Sequence, residues 1–274
     1  MASRATVVWM DGEYVPWSEA RVHVSTDTVL RGANVFEGLR GYASPDGRQV
    51  YVFRLREHLE RLWLSMKVLR MSLRHSRAEL AGACTGIVAR NGFREDVHIR
   101  PTAYFGEGPL NAYRPEEIAT GAFVLAHPRA SALSDSAGIA CCVSAWRRIG
   151  DNVLPPRVKA GGNYLQSRYA AVQAVVDGYK SAILLNDRDK VAEGPGACVL
   201  LVREGRVIAP PVTAGILESI TRATIAEFCR SDLGLEFVER EVDRTELYVA
   251  EEAFFCGSAW EITPVTSVDR YPVG

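Results

Sequence analysis

A mixed α+β protein of two domains is the fold class this sequence predicts, and three observations lead there. Its 274 residues exceed the usual size of one compact domain. Its strand-like and helix-like segments lack the regular βαβ alternation of a doubly wound sheet. The stretch HPRASALSDSA, from His127 to Ala137, is poor in large apolar residues and rich in Ser, Ala and Pro, as suits a linker. The expected division is an N-terminal domain over 1–130, a linker over 131–137 and a C-terminal domain over 138–274.

The elements follow in order. TVVWM and EYVPW flank Asp11-Gly12, a dipeptide suited to a tight hairpin turn. GRQVYVF follows a second turn signal at Pro45-Asp46-Gly47. It leads into LREHLERLWLSMKVLRM, where Leu55, Leu59, Leu62, Met66 and Leu69 recur at helical spacing. A further helix covers Arg77 to Arg90 and stops at Asn91-Gly92, and VHIRPTAYF reads as a strand. Beyond the linker, GIACCVSAW reads as a buried strand, and a helix from Tyr164 to Val176 closes at Gly178. SAILLN and KVAEG around the turn NDRD, then ACVLLV and RVIAP around Glu204-Gly205, are short strands at regular spacing. A helix from Ile220 to Leu233 and the strand LEFVERE complete the second half.

Bulk properties exclude classes without naming a function. With 32 Lys+Arg against 33 Asp+Glu, the formal net charge of -1 provides no global field for nucleic acid or an anionic membrane. The apolar stretches are too short to cross a bilayer, and the first residues lack the pattern of a signal peptide, so the expectation is a cytoplasmic protein. The six cysteines contain no C-x-x-C pair, and reduced core thiols are expected. The five histidines match no metal-ligand spacing, so no metal is expected.

Several segments have the residue types that a reactive site needs. Lys159, in R-V-K-A-G-G-N-Y, has Gly161 and Gly162 beside it, which let the backbone approach a ligand or cross another segment closely; Asn163 is suited to cap the helix starting at Tyr164. A lysine used for imine chemistry needs such a crowded, partly desolvated setting. Glu193 stands at a strand end before Gly-Pro-Gly, where a carboxylate could keep a heterocyclic nitrogen protonated. In G-I-L-E-S-I-T-R, Ser219 or Thr221 opens a helix whose first amides suit an anion. Gly257, Ser258 and Ala259 form a small-residue turn able to offer amides and a hydroxyl to an oxyanion, and Arg61 projects from the first long helix. Each of these also has a plain structural explanation when taken singly: a surface lysine, a turn glutamate, a helix cap, a tight turn.

Taken together and in this order, VFEGLRGY, R-E-H-L-x-R-L, H-I-R-P, K-A-G-G-N-Y, V-A-E-G-x-G, I-T-R and G-S-A-x-E-I-T-P-V resemble the class IV, fold-type IV aminotransferases, and most of all the branched-chain-amino-acid aminotransferases. The resemblance implies a two-domain fold with a smaller α/β N-terminal domain and a larger, mixed β-barrel-like C-terminal domain that binds pyridoxal 5′-phosphate. It implies that Lys159 forms the Schiff base and shuttles the proton, that Glu193 pairs with the pyridinium nitrogen and that Tyr164 bonds the phenolic oxygen. Arg61, Ile220, Thr221 and Ser258 would hold the phosphate, with Leu217 in the same cofactor set. Phe36, Gly38 and Trp146 would line the side-chain pocket, Arg100 would meet a distal carboxylate, and Ser258 and Ala259 would meet the α-carboxylate. The implied reaction is ping-pong transamination between an L-amino acid and a 2-oxo acid such as 2-oxoglutarate, in a homodimer or higher homo-oligomer.

Some positions depart from that pattern. Arg31 and His98 stand where the family usually has tyrosines, and both border carboxylate recognition. Arg31 thus reads either as an added anion contact or as an outward-pointing residue. Pro195, Ala197 and Cys198, and Glu218-Ser219, also replace the usual residues. The competing readings are a lyase like aminodeoxychorismate lyase, a D-amino acid or amine transaminase, and a silent binding protein that retains the fold. H-I-R-P and the G-S-A turn favour the L-branched-chain type over the first two. Intact Lys159, Tyr164, Glu193 and Arg61 speak against the last.

Overall fold

The computed structural model describes residues 5–109, 112–134 and 136–274, so residues 1–4 and Asp135 of the expected linker lie outside it. The chain divides into two compact units: residues through Ser131 with Val158–Gly162, and Ala132–Arg157 with Asn163–Gly274. The short run carrying Lys159 therefore belongs to the first unit although it follows the start of the second in sequence.

The first unit is an antiparallel sheet backed by two helices. Its strands are β1 (Val7–Met10), β2 (Glu13–Pro16), β3 (Asn34–Phe36), β4 (Leu39–Ala43), β5 (Val50–Val52), β6 (Val97–Phe105) and β7 (Thr120–Pro128). They run in the order β2-β1-β7-β6-β4-β5, with β3 also paired to β6. The asymmetry of β6 follows from its period of two. Val97, Ile99 and Ala103 enter the core beneath α2 (Leu55–Val68) and α3 (Arg77–Arg90), beside Leu59, Leu62, Met66, Leu80 and Ile87. Each large side chain buried there contributes about 1.5–3 kcal/mol. His98, Arg100, Thr102 and Tyr104 consequently point to the other face. α3 starts with a capping box, Ser76 accepting from the Glu79 amide while Glu79 accepts from Ser76. A short helix not expected from the sequence, α1 (Asp27–Arg31), precedes β3.

The second unit is a mixed sheet of β8 (Ile139–Val143), β9 (Ser181–Ile183), β10 (Cys198–Arg203), β11 (Arg206–Ala209), β12 (Phe237–Glu239), β13 (Glu252–Gly257), β14 (Glu261–Val268) and β15 (Tyr271–Pro272). The order is β12-β11-β10-β13-β14-β8-β9, with β15 on β14. β10 explains its own unbroken apolar sequence, because both faces are covered. Val199 and Leu201 join Phe255 and Val265 on one side; Cys198 and Leu200 join Ile225 and Cys229 of α5 (Ile220–Ser231) on the other. Ala170 and Ala174 of α4 (Asn163–Val176) pack on Cys142 and Leu184. The expected cap at Asn163 is corrected here: Asn163 is the first residue of α4, it is buried, and its Nδ2 donates to the Pro155 carbonyl at 3.1 Å. All six cysteines are buried free thiols.

Candidate active site

Lys159 is held by backbone rather than by its own helix or strand. Its amide donates to Ser65 Oγ on α2 at 3.2 Å, and its carbonyl accepts from the Phe36 amide at 3.0 Å. Ala160 forms a bridge with Val35, and the Gly161 amide donates to the Asn34 carbonyl at 3.0 Å, so the K-A-G-G run lies along β3. The close crossing requires glycine: a Cβ on Gly161 would stand 2.5 Å from Asn34 Oδ1. The half-buried Lys159 ends with Nζ 4.9 Å from the centroid of the Phe36 ring, and the Arg100 guanidinium carbon lies 3.9 Å from that same centroid. An apolar wall, an amine and a cation thus meet on one aromatic ring.

Arg61 is oriented by a group that sequence reading did not single out. Glu37, fully buried after β3, accepts from Arg61 Nε and Nη2 at 2.7 Å each and lies 2.8 Å from His58 Nδ1. Burial alone would raise the Glu37 pKa, but the Arg61 charge and the hydrogen bonds from His58 and Arg61 lower it to about 2. Arg61 and His58 reach it from one side of α2, three residues apart. The only signal in the sequence was the presence of Glu37 inside VFEG and of both partners inside R-E-H-L-x-R-L.

In the second unit Glu193 is nearly as buried, and it is paired with Arg148 at 2.8 Å, the two side chains being 8% and 6% exposed. Arg148 is anchored in turn by donating from Nε to the Gly215 carbonyl at 3.0 Å. The Leu217 amide donates to Glu193 Oε2 at 3.1 Å, so Leu217 acts on the carboxylate through its backbone. Arg148 was missed because W-R-R-I-G has no spacing that marks it. Of the two residues considered for opening α5, Ser219 is the N-cap: its side chain accepts from the Arg222 amide, and Ile220 and Thr221 occupy the first turn. Tyr164 lies in the first turn of α4. Ser258 and Ala259 form the turn between β13 and β14, closed by the Trp260 amide donating to the Gly257 carbonyl at 3.0 Å.

The remaining residues that the sequence pointed to lie as follows. Gly38 leaves room for His98, since a Cβ there would be 2.9 Å from His98 Cε1. Arg31, on α1, pairs with Asp27 one turn earlier. Trp146 is half-exposed and stacks on Tyr169 of α4, with ring centroids 5.0 Å apart. Among the described residues no group of three or more His, Cys, Asp and Glu side chains is arranged to hold a metal ion.

A lysine on an aromatic wall, a buried carboxylate paired with an arginine and a capped helix start are shared by chemically distinct sites, and comparison with known proteins separates them. The family model for class IV aminotransferases matches residues 34–268, most of the chain. This protein belongs to the class IV aminotransferases. It is 37% identical to a probable branched-chain-amino-acid aminotransferase of Aquifex aeolicus, covering 97% of this chain and 85% of that protein. It is 37% identical to the branched-chain-amino-acid aminotransferase of Escherichia coli, covering 99% and 87%. The crystal structure of the Thermobaculum terrenum branched-chain amino acid aminotransferase in its PLP form superposes with a TM-score of 0.92 at 42% identity, covering 98% of this chain and 88% of that one.

The cofactor of this aminotransferase is pyridoxal 5′-phosphate. The residues present fit it. Lys159 is a half-buried amine, Glu193 is a buried carboxylate beside a buried guanidinium, Arg61 is a cation held by Glu37, and α5 begins with a helix N-terminus, which favours an anion. The enzyme carries out transamination by the fold-type IV two-domain scaffold.

Proposed function

We propose that this aminotransferase moves the amino group of branched-chain L-amino acids, or amino acids related to them, to a 2-oxo acid such as 2-oxoglutarate in a ping-pong cycle. The observation that carries this reading is the Phe36 ring, which presents an apolar wall beside Lys159 and an arginine, Arg100, on the same ring. One site must accept first an aliphatic and then an acidic side chain, and this arrangement offers a surface for each. The names of the curated relatives support the aliphatic partner.

When bound, pyridoxal phosphate supplies an electron sink conjugated to the reacting carbon. The chain's own residues do the rest. Lys159 Nζ would hold the cofactor and would serve as the base that moves the proton at the substrate Cα. Glu193, paired with Arg148 and oriented by the Leu217 amide, would pair with the pyridine nitrogen. Tyr164 donates to the ring oxygen. Arg61, the amides of Ile220 and Thr221, and Ser258 bind the phosphate; Ser258 and Ala259 also meet the substrate α-carboxylate. Phe36, Gly38 and Trp146 line the side-chain pocket.

We further infer a homodimer or higher homo-oligomer in the cytoplasm. α4 exposes Leu165, Tyr169, Val172 and Val176 at helical spacing, an apolar row suited to a second copy. Six buried free thiols suit a reducing compartment, and no helix among the described residues is long and apolar enough to cross a membrane.

Borohydride reduction of the purified holoenzyme followed by peptide mapping tests the lysine, and the expected pyridoxyl label is on Lys159. Label on another lysine would overturn the assignment. A donor panel with 2-oxoglutarate tests the substrate, with turnover of leucine, isoleucine and valine expected. Failure of all three while another amine reacts would leave only the cofactor chemistry standing.

A further inference from the structure

The motif G-S-A-x-E-I-T-P-V holds one charged residue, Glu261, that carries no assigned role in cofactor or substrate binding. It is the first residue of β14 and follows the turn that carries Ser258 and Ala259. The Trp260 amide closes that turn on the Gly257 carbonyl at 3.0 Å, and Gly257 pairs with Glu261 across its base. Whatever fixes Glu261 therefore fixes one end of the turn.

Two features of Glu261 are unfavourable on their own. Its φ is 52°, in the left-handed region where a Cβ crowds the backbone and where glycine or asparagine is the usual occupant. It is also 5% exposed, so an acid group is withdrawn from water. Glycine at this position would remove both penalties. A strained backbone carrying a buried polar head persists where the head is held by its surroundings. Here Glu261 Oε2 accepts from the Ala132 amide at 2.6 Å, across 129 residues of chain. Ala132 is the first residue of the second unit, exposed, outside any helix or strand, and within the stretch expected to be a linker. No ladder of backbone bonds fixes it there, and the bond to a buried acceptor does.

We propose that Glu261 is a positioning residue for the reaction: by tying the base of the Ser258–Ala259 turn to the linker at Ala132, it sets the turn's amides at the spacing that substrate binding needs. The proposal rests on the aminotransferase reading above, in which that turn meets the substrate α-carboxylate. Glu261 acts through the turn, and both partners of its bond belong to the second unit. A turn released from the linker loses its preset geometry and holds substrate less tightly. The proton transfer at Lys159 is untouched, so the effect falls on KM and not on kcat.

The test compares holoenzymes. Glu261→Gly removes the carboxylate and suits the left-handed backbone, so the fold is expected to persist by circular dichroism. KM for L-leucine and for 4-methyl-2-oxopentanoate should rise about tenfold while kcat stays within about threefold. Glu261→Gln keeps a side-chain oxygen at the same reach and should recover most of the loss. Ala132→Pro deletes the donor instead, without altering the turn; it should raise KM by the same factor and add nothing when combined with Glu261→Gly. Calorimetric titration with 4-methylpentanoate reads the turn without turnover, and its affinity should fall in parallel. If Glu261→Gly fails to fold, Ala132→Pro against wild type decides alone. Unchanged KM in the variants, a loss confined to kcat, additive effects, or a Gln variant no better than Gly would overturn the positioning role. Where wild type turns over leucine in any of those cases, the aminotransferase reading stands and only the role of Glu261 falls. A wild-type protein inert to every amino donor overturns both.

Discussion

At the scale of single residues, Glu37 is the side chain that orients Arg61 in the first unit. It holds Arg61 by two hydrogen bonds and touches His58 by a third contact, with Glu37 and His58 buried and Arg61 only 11% exposed. Replacing it by Gln keeps the shape and removes the charge, leaving the Arg61 guanidinium without its counter-ion. A loss of about 3–5 kcal/mol is expected from breaking such a buried pair, read as a lower denaturation midpoint, together with weaker pyridoxal phosphate binding in a spectroscopic titration. The pH dependence has a definite sign. The folded carboxyl titrates at about 2 and the ordinary one at 4.5, so its contribution is complete above about pH 5 and drains away as pH falls from there toward 2. The gap in urea midpoint between wild type and Glu37→Gln should therefore be wide at pH 6 and narrower at pH 3. An equal gap at both values would place the energy elsewhere. Arg148 has a similar relation to Glu193, and neither Glu37 nor Arg148 was legible in the sequence as a functional residue. A buried ion pair joins positions that no local spacing relates: Arg148 and Glu193 lie 45 residues apart in the chain but 2.8 Å apart in space.

At the scale of elements, the K-A-G-G run shows what glycine does that a helix or strand alone could not. It runs beside β3, bonded at Phe36 and Asn34, and this fixes the direction in which Lys159 leaves the backbone. Gly161→Ala drives a methyl to within 2.5 Å of the Asn34 side chain, so the Asn34 side chain or the K-A-G-G run must shift. The expected result is a protein that keeps its secondary structure by circular dichroism but binds pyridoxal phosphate at least about tenfold more weakly, the order of effect produced by an ångström-scale misplacement of a reacting group. Retention of full cofactor absorbance at stoichiometric pyridoxal phosphate would contradict it. α5 is simpler: Ser219 caps it, and Ser219→Ala should lower stability by about 1 kcal/mol in chemical denaturation by leaving the Arg222 amide without its cap. The two long helices of the first unit were readable in sequence because 3.6-residue periodicity is local, and the cap of α5 was narrowed to Ser219 or Thr221, between which the structure decides for Ser219. α1 was not: its five residues bury no side chain and so leave no periodic signal.

For the whole molecule, the cofactor and a second copy are the two additions expected to matter for stability. A ligand that binds only the folded chain adds about 4 kcal/mol at a thousandfold excess over its Kd, so removing pyridoxal phosphate should lower Tm by several degrees in calorimetry and re-addition should restore it. Multi-angle light scattering should give at least twice the monomer mass of 30.1 kDa. A stable, active monomer would dispose of the oligomer. The long helices, the strand VHIRPTAYF, Lys159 in its glycine-rich run and the ordered motifs were present in the sequence, because each depends on residues within one turn, one strand or one loop. What only the tertiary structure decided is which distant groups share a site. Lys159 joins the first unit although it follows the start of the second, His98 has Arg40 and His127 for neighbours through strand register, and Glu37 and Arg148 fix Arg61 and Glu193 in place. Those relations follow from the pairing of strands and the burial of charge. Both are set by packing across the chain and are invisible to any pattern read along it.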